Sequence, residues 1–260
     1  MPAIPLPGTP NGAILDCVDA VNTTFSSVFA LIDSWRSAVQ EFVSASDGVV
    51  TRIEVDEFSE ALVVGELSRD GALVIGAGFV AAPAFIIDAP WHLAWWLGHA
   101  NTFGLGSADP AIRRLQAEED PESESFRDYT NLEWWRAPSS TLAQHITGPY
   151  VDYLCTDDYT LTLTAPVLFT SRMVGVVGAD LYVNDIERAL LPRVASIDGS
   201  ATIVNASGRV VVSNDTARPT GSLLRLDTLS GTPGGPVVLS DGRTVIPCQK
   251  TSLLLVLDAP

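Results

Sequence analysis

Apolar residues recur at steps of three and four through Ile14, Val18, Val21, Phe25, Val28, Ile32, Trp35, Val39 and Phe42. That spacing predicts one stripe along a helix of roughly thirty residues. Asn11 and Gly12 can open it, and Ser46-Asp47-Gly48 can close it. So long a helix must lie along the sheet of its own chain or along the same helix of a second copy.

Strand patterns follow further on. Tyr159–Phe169 alternates threonine with apolar residues at period two, and Met173–Leu181 is an apolar run broken by glycines. Only Thr170, Ser171 and Arg172 separate them, which predicts a hairpin. Upstream, Val49–Phe58 and Ala61–Leu67 read as strand or mixed segments, and Gly71–Val80 as a strand pair turning at a glycine. Asp88 and Pro90, ahead of the run to Ala100, predict a short helix. The charged stretch Arg113–Thr130, with Pro121 inside it, predicts a surface loop, and Ser139–Ile146 a short polar helix.

Past Asp180, Val183–Arg193 reads as a helix. From about residue 195 the chain turns into short strands parted by Ser207-Gly208 and Asp241-Gly242, closing on Leu253–Leu257. The pattern predicts an α+β fold: a leader and long helix over 1–45, a larger module over 46–194 and a smaller one over 195–260, each on an antiparallel sheet.

Charge changes the picture of the partner. Lys and Arg number 15 against 31 Asp and Glu, a net charge of −16, which argues against nucleic acid and favours cationic small molecules. Cys17, Cys155 and Cys248 lie far apart without metal-ligand spacing, so they read as buried thiols in a reducing compartment. His92, His99 and His145 have no ligand partner at metal spacing, and no cofactor motif is present. The first residues lack a basic start and an apolar run, and neither Gly71–Ile87 nor Ala89–Ala108 reads as a membrane span. A soluble, cytoplasmic protein is expected, the alternative being the extracytoplasmic sensor region of a larger receptor.

The candidate chemistry lies between residues 129 and 180. Asp180 follows the buried run Val174–Ala179, where an ionised carboxylate is costly without a cation beside it. Trp134-Trp135, Tyr150 and Asp152 precede it, and Asp157-Asp158 reads as a solvated turn. The stretches LEWWRAP, TGPYVD, TLTAPV and VGVVGADL, in this order, resemble the double Cache family, the PAS-like ligand-sensing modules of chemoreceptors and sensor kinases. The resemblance implies two PAS-like modules, with the pocket in the larger. In the amine-sensing members an Arg-x-Trp-Tyr motif precedes Tyr-x-Asp and a lone Asp. Similarity places Trp134 and Trp135 on the aromatic pair, Tyr150 and Asp152 on Tyr-x-Asp, and Asp180 on the last acid. Leu132 stands where that family has its carboxylate-binding arginine, with Arg136 as a neighbouring substitute.

These residues imply an ammonium cage: stacking by Trp134 and Trp135, a hydrogen bond from Tyr150, and charge pairing by Asp152 and Asp180. Tyr129 and one of Trp91, Trp95 or Trp96 can complete it. Without the arginine, the expected ligand is an amine or methylated ammonium ahead of an ordinary amino acid, bound without catalysis. Two other classes stay open. One is an enzyme using Asp152 and Asp180 as a carboxylate pair with His145 as acid or base. The other is a structural module, a homodimer built on the Ile14–Phe42 stripe.

Overall fold

The computed structural model describes residues 12–101, 112–151, 156, 158–226, 233–249 and 251–259. Helix α1 runs over Gly12–Ala45. Its buried seam is Cys17, Val21, Phe25, Val28, Ile32, Trp35, Val39 and Val43, one residue off the predicted stripe at either end. One 18-residue stretch of α1 has a mean hydropathy of 1.3 with 28% of it buried, so by length and composition this helix can cross a membrane. The expectation that no segment qualifies is thereby corrected. No charged residue occurs between Asp19 and Asp33, and the amphipathic spacing concealed that run.

Helix α2 (Arg52–Leu67) replaces the strands expected over 49–67. Thr51 caps it: the Glu54 amide donates to Thr51 Oγ1, and the Thr51 amide donates to Glu54 Oε2. This capping box, with Val55, Ser59, Val63 and Leu67 buried four apart, is a helical signal. Asp88, expected to cap a helix of its own, instead accepts a 2.8 Å bond from the Arg52 amide at the start of α2.

The described chain divides into two compact units. The larger comprises Val28–Thr147 and Val151–Tyr182; the smaller holds the chain up to Ser27, Gly148–Tyr150 and everything from Val183. The division at Tyr182 and Val183 lies upstream of the boundary at 194 that composition suggested.

A six-stranded sheet organises the larger unit: β1 (Val74–Ala81), β2 (Leu93–Leu97), β3 (Arg113–Arg114), β4 (His145–Val151), β5 (Tyr159–Phe169) and β6 (Arg172–Tyr182), in the order β3-β2-β1-β6-β5-β4. The β5–β6 hairpin is as predicted. Two expectations fail here. Gly71–Val80 is one strand, not a pair, and Trp91–Ala100 contains a strand, not a helix. Both strands are buried on both faces, and a strand covered on both sides loses the period-two signal that would reveal it. Helix α3 (Glu133–Thr141) begins earlier than expected and takes in both tryptophans.

In the smaller unit, α4 (Val183–Val194) accompanies a second sheet, β7 (Ala201–Val204), β8 (Val210–Ser213), β9 (Val237–Val238), β10 (Thr244–Pro247) and β11 (Leu254–Leu257), ordered β8-β7-β11-β10-β9. Val204, Val210, Leu239, Val245, Leu254 and Val256 form its core. A long helix with two antiparallel sheets is the α+β architecture the sequence predicts.

Candidate ligand site on the six-stranded sheet

Asp180 sits near the middle of the larger sheet and is 2% exposed. Its register places it opposite Gly76 on β1 and Thr162 on β5. Thr162 Oγ1 donates a 2.6 Å hydrogen bond to Asp180 Oδ1. Directly opposed residues share a face of an antiparallel sheet. One row across that face is therefore Arg113, Leu97, Gly76, Asp180 and Thr162; the next is Trp95, Gly78, Gly178 and Thr164.

The glycines in these rows make room for an indole. A Cβ on Gly76 would lie 3.0 Å from Trp95 Nε1 and 3.4 Å from Asp180 Oδ2, and one on Gly178 would lie 3.2 Å from Trp95 Cη2. Trp95 thus lies across the sheet, with its N–H end near the carboxylate. That Nε1 is buried and has no hydrogen-bond partner among the described residues.

Helix α3 covers the same face, since Thr164 Oγ1 donates a 2.9 Å bond to the Trp134 carbonyl. Trp134, Trp135 and Tyr129 are all buried. Their rings meet one another: Tyr129 stacks on Trp134 with centroids 6.0 Å apart, lies 5.3 Å from Trp135, and takes Trp91 edge-on at 5.1 Å. The Tyr129 hydroxyl donates to the Ala81 carbonyl at 2.7 Å, and burial pushes its phenol well above the ordinary range.

Of the residues singled out in the sequence, the structure therefore brings Tyr129, Trp134 and Trp135 together and sets Asp180 on the face that α3 covers. Tyr150 belongs to the smaller unit. Asp152, Cys155 and Asp157 lie outside the described residues. Leu132 is exposed at the start of α3, Arg136 is exposed too, and His145 Nε2 meets Glu133 Oε1 at 2.9 Å. Sequence reasoning missed Thr162 and the Trp95–glycine arrangement. The threonines of β5 were legible as a pattern, but only register sets Thr162 against Asp180.

The opposite face carries a charged network that the sequence also concealed. His92 is buried, with Nε2 2.8 Å from Asp56 Oδ1 on α2 and Nδ1 2.8 Å from Glu119 Oε1. Arg114 adds a 3.1 Å bond to Asp56, and Arg52 lies 3.7 Å from Glu119. Burial raises the Glu119 carboxyl, but the His92 hydrogen bond and charge, the Leu93 amide and Arg52 outweigh it and hold the group below its ordinary value.

In the smaller unit, α4 and the segment 213–220 enclose a cleft of about 360 Å³. Its charged walls are engaged with one another: Arg218 pairs with Asp215 at 3.4 Å and also with Asp258 at 2.6 Å, while Thr220 donates to Glu187 at 3.4 Å.

The sequence model of the methyl-accepting chemotaxis protein-like first PDC sensor domain matches residues 108–188. No protein of curated function matches the chain in sequence. Solved structures share its fold. The extracellular domain of a candidate histidine kinase, mmHK1S-Z3, aligns with a TM-score of 0.59 at 15% identity, covering 95% of this chain and 94% of that one. Methyl-accepting chemotaxis protein X aligns at 0.58 and 15%, covering 95% of each. The ligand-binding domain of the Pseudomonas fluorescens chemoreceptor CtaA, in complex with L-valine, aligns at 0.55 and 18%, covering 94% and 92%. The long helix and paired sheets are thus a fold shared with these solved domains.

Proposed function

We propose that the larger unit is a sensor module that binds a small metabolite bearing an amino group, without catalysis. The observation that carries this reading is Asp180: a carboxylate 2% exposed, in the middle of a sheet, on the face that an α-helix covers with two tryptophans. A carboxylate makes charge-assisted hydrogen bonds to an ammonium, and an ammonium beside indole and phenol rings gains about 2 kcal/mol when desolvated. Asp180 supplies the charge, Trp134, Trp135 and Tyr129 the aromatic surface, and Thr162 fixes the carboxylate. Tyr150 and Asp152, expected from the sequence as ligand contacts, are not part of this proposal.

The matching chemoreceptor and histidine-kinase folds support a sensory role, and CtaA, solved with L-valine, makes amino acids sensible first probes. The domain described as extracellular among them, with an N-terminal helix here apolar enough to span a bilayer, favours the extracytoplasmic alternative over the cytoplasmic placement.

Titration calorimetry of the purified chain against amines, methylated ammonium compounds and L-amino acids tests the reading. Saturable binding is expected, weakened on the order of 100-fold by Asp180→Asn. A panel that gives neither heat nor a rise in melting temperature, or an Asp180→Asn protein that binds as well as the original, sinks it.

A further inference from the structure

We propose that His92 and Glu119 form a clasp that fixes the aromatic wall of the candidate site from the opposite face of the sheet, which makes both of them positioning residues. The clasp itself is independent of the site reading above; its effect on ligand binding rests on that reading.

The wall needs such a hold. Residues 115–131 leave the edge strand β3, run to the turn Tyr129–Asn131 and lead into α3, which carries Trp134 and Trp135. Leu115 and Tyr129 are buried, but none of residues 116–128 between them is. The hydrogen bonds within this strap are local: the Ser123 amide donates to the Asp120 carbonyl, and the Phe126 amide to the Ser123 carbonyl. A segment that buries so little apolar surface must offset the conformational entropy of its ordering through a few polar contacts.

Glu119 supplies them. Its Oε1 lies 2.8 Å from His92 Nδ1 and accepts a 3.3 Å bond from the Leu93 amide, while its Oε2 lies 3.7 Å from Arg52 Nη1 on α2. The buried His92 ring is itself held, since its Nε2 lies 2.8 Å from Asp56 Oδ1 on α2, and Arg114 Nη2 donates to the same oxygen at 3.1 Å. The far end of the strap returns to the same place. The Tyr129 hydroxyl donates to the Ala81 carbonyl, and the Ala81 amide donates to the His92 carbonyl at 3.1 Å. Trp91, the residue before His92, meets Phe126 edge-on at 4.9 Å and Tyr129 at 5.1 Å. Trp91, His92 and Leu93 thus hold both the middle of the strap and its aromatic end. Hydrogen bonds to a half-buried carboxylate are among the strong ones, so removing Glu119 frees the strap between Leu115 and Tyr129 and loosens the wall that Tyr129 forms with Trp134 and Trp135.

The test compares the original protein with Glu119→Ala and Asp56→Ala. Each variant takes one of the two carboxylates from the same buried ring, so both are expected to melt at a lower temperature. Only Glu119→Ala is expected to speed hydrogen exchange across residues 116–131, by about tenfold, and Glu119→Gln, which keeps an acceptor oxygen, recovers part of the protection. For the tightest binder among amines and L-amino acids, calorimetry is expected to show affinity lowered on the order of tenfold in Glu119→Ala and within about twofold of the original in Asp56→Ala. Unchanged exchange in Glu119→Ala, or an Asp56→Ala protein that releases the strap as far, overturns the clasp. A binder whose affinity Glu119→Ala leaves unchanged overturns its hold on the wall and leaves the Asp180 site standing. A panel without any binder sinks the site reading, and the exchange comparison still decides the clasp.

Discussion

Thr162 Oγ1 donates a 2.6 Å hydrogen bond to Asp180 Oδ1, its direct neighbour across the β5–β6 pair, and both side chains are more than nine-tenths buried. The bond is charge-assisted, and a valine in its place fills the same volume without a donor. Thr162→Val is therefore expected to cost about 2 kcal/mol in urea unfolding, and Thr162→Ser much less. Equal stability of the two variants would show that the hydroxyl does not hold the carboxylate.

A second expectation concerns Gly78. A Cβ there would run into the Ala94 carbonyl and come within 2.8 Å of Trp95 Cα, both backbone atoms of a buried strand that cannot yield cheaply. Gly78→Ala should lower stability by about 3 kcal/mol. Gly65, inside α2 with nothing within 4 Å, gives the contrast: Gly65→Ala should raise stability by about 0.5–1 kcal/mol. Thermal unfolding of the pair checks both signs.

His92 governs acid stability. Both its ring nitrogens lie 2.8 Å from carboxylate oxygens, Nε2 from Asp56 and Nδ1 from Glu119. Glu119 is held below its ordinary value in the folded protein. Its contribution is therefore fully present above the unfolded glutamate value of about 4.3 and is lost as pH falls through the lower folded value. His92→Ala should cost about 3 kcal/mol at neutral pH and flatten the loss of stability below pH ~4.3. Denaturant midpoints across pH measure it; an unchanged acid limb in the variant would refute the account.

The thiols make a chemical prediction. Cys17 and Cys248 are buried and free, and burial pushes them up to about 11 and about 12. Since the thiolate is the reactive form, alkylation of both at pH 8 should await unfolding, as peptide mass mapping with and without denaturant can show. Rapid labelling of either in the native protein would contradict their burial.

Local pattern alone determined much of this protein. The α1 stripe, the β5–β6 hairpin, α4 and the short strands of the smaller sheet each carry a period or a turn signal within their own residues, because amphipathic burial and turn chemistry are written at short range. Tyr129, Trp134 and Trp135 were legible as a group for the same reason, being neighbours along one turn and the helix that follows it. Tertiary structure decided the rest. Strands β1 and β2, buried on both faces, have no alternation to read; α2 carries a signal in the Thr51–Glu54 cap and the four-residue spacing from Val55 to Leu67, beneath a composition that reads as strand. Nothing in the order of residues says that Asp180 faces Thr162, that Gly76 and Gly178 let Trp95 lie across the sheet, or that Arg113 shares a row with Asp180. Those relationships come from strand register, which fixes long-range neighbours only when the whole sheet assembles.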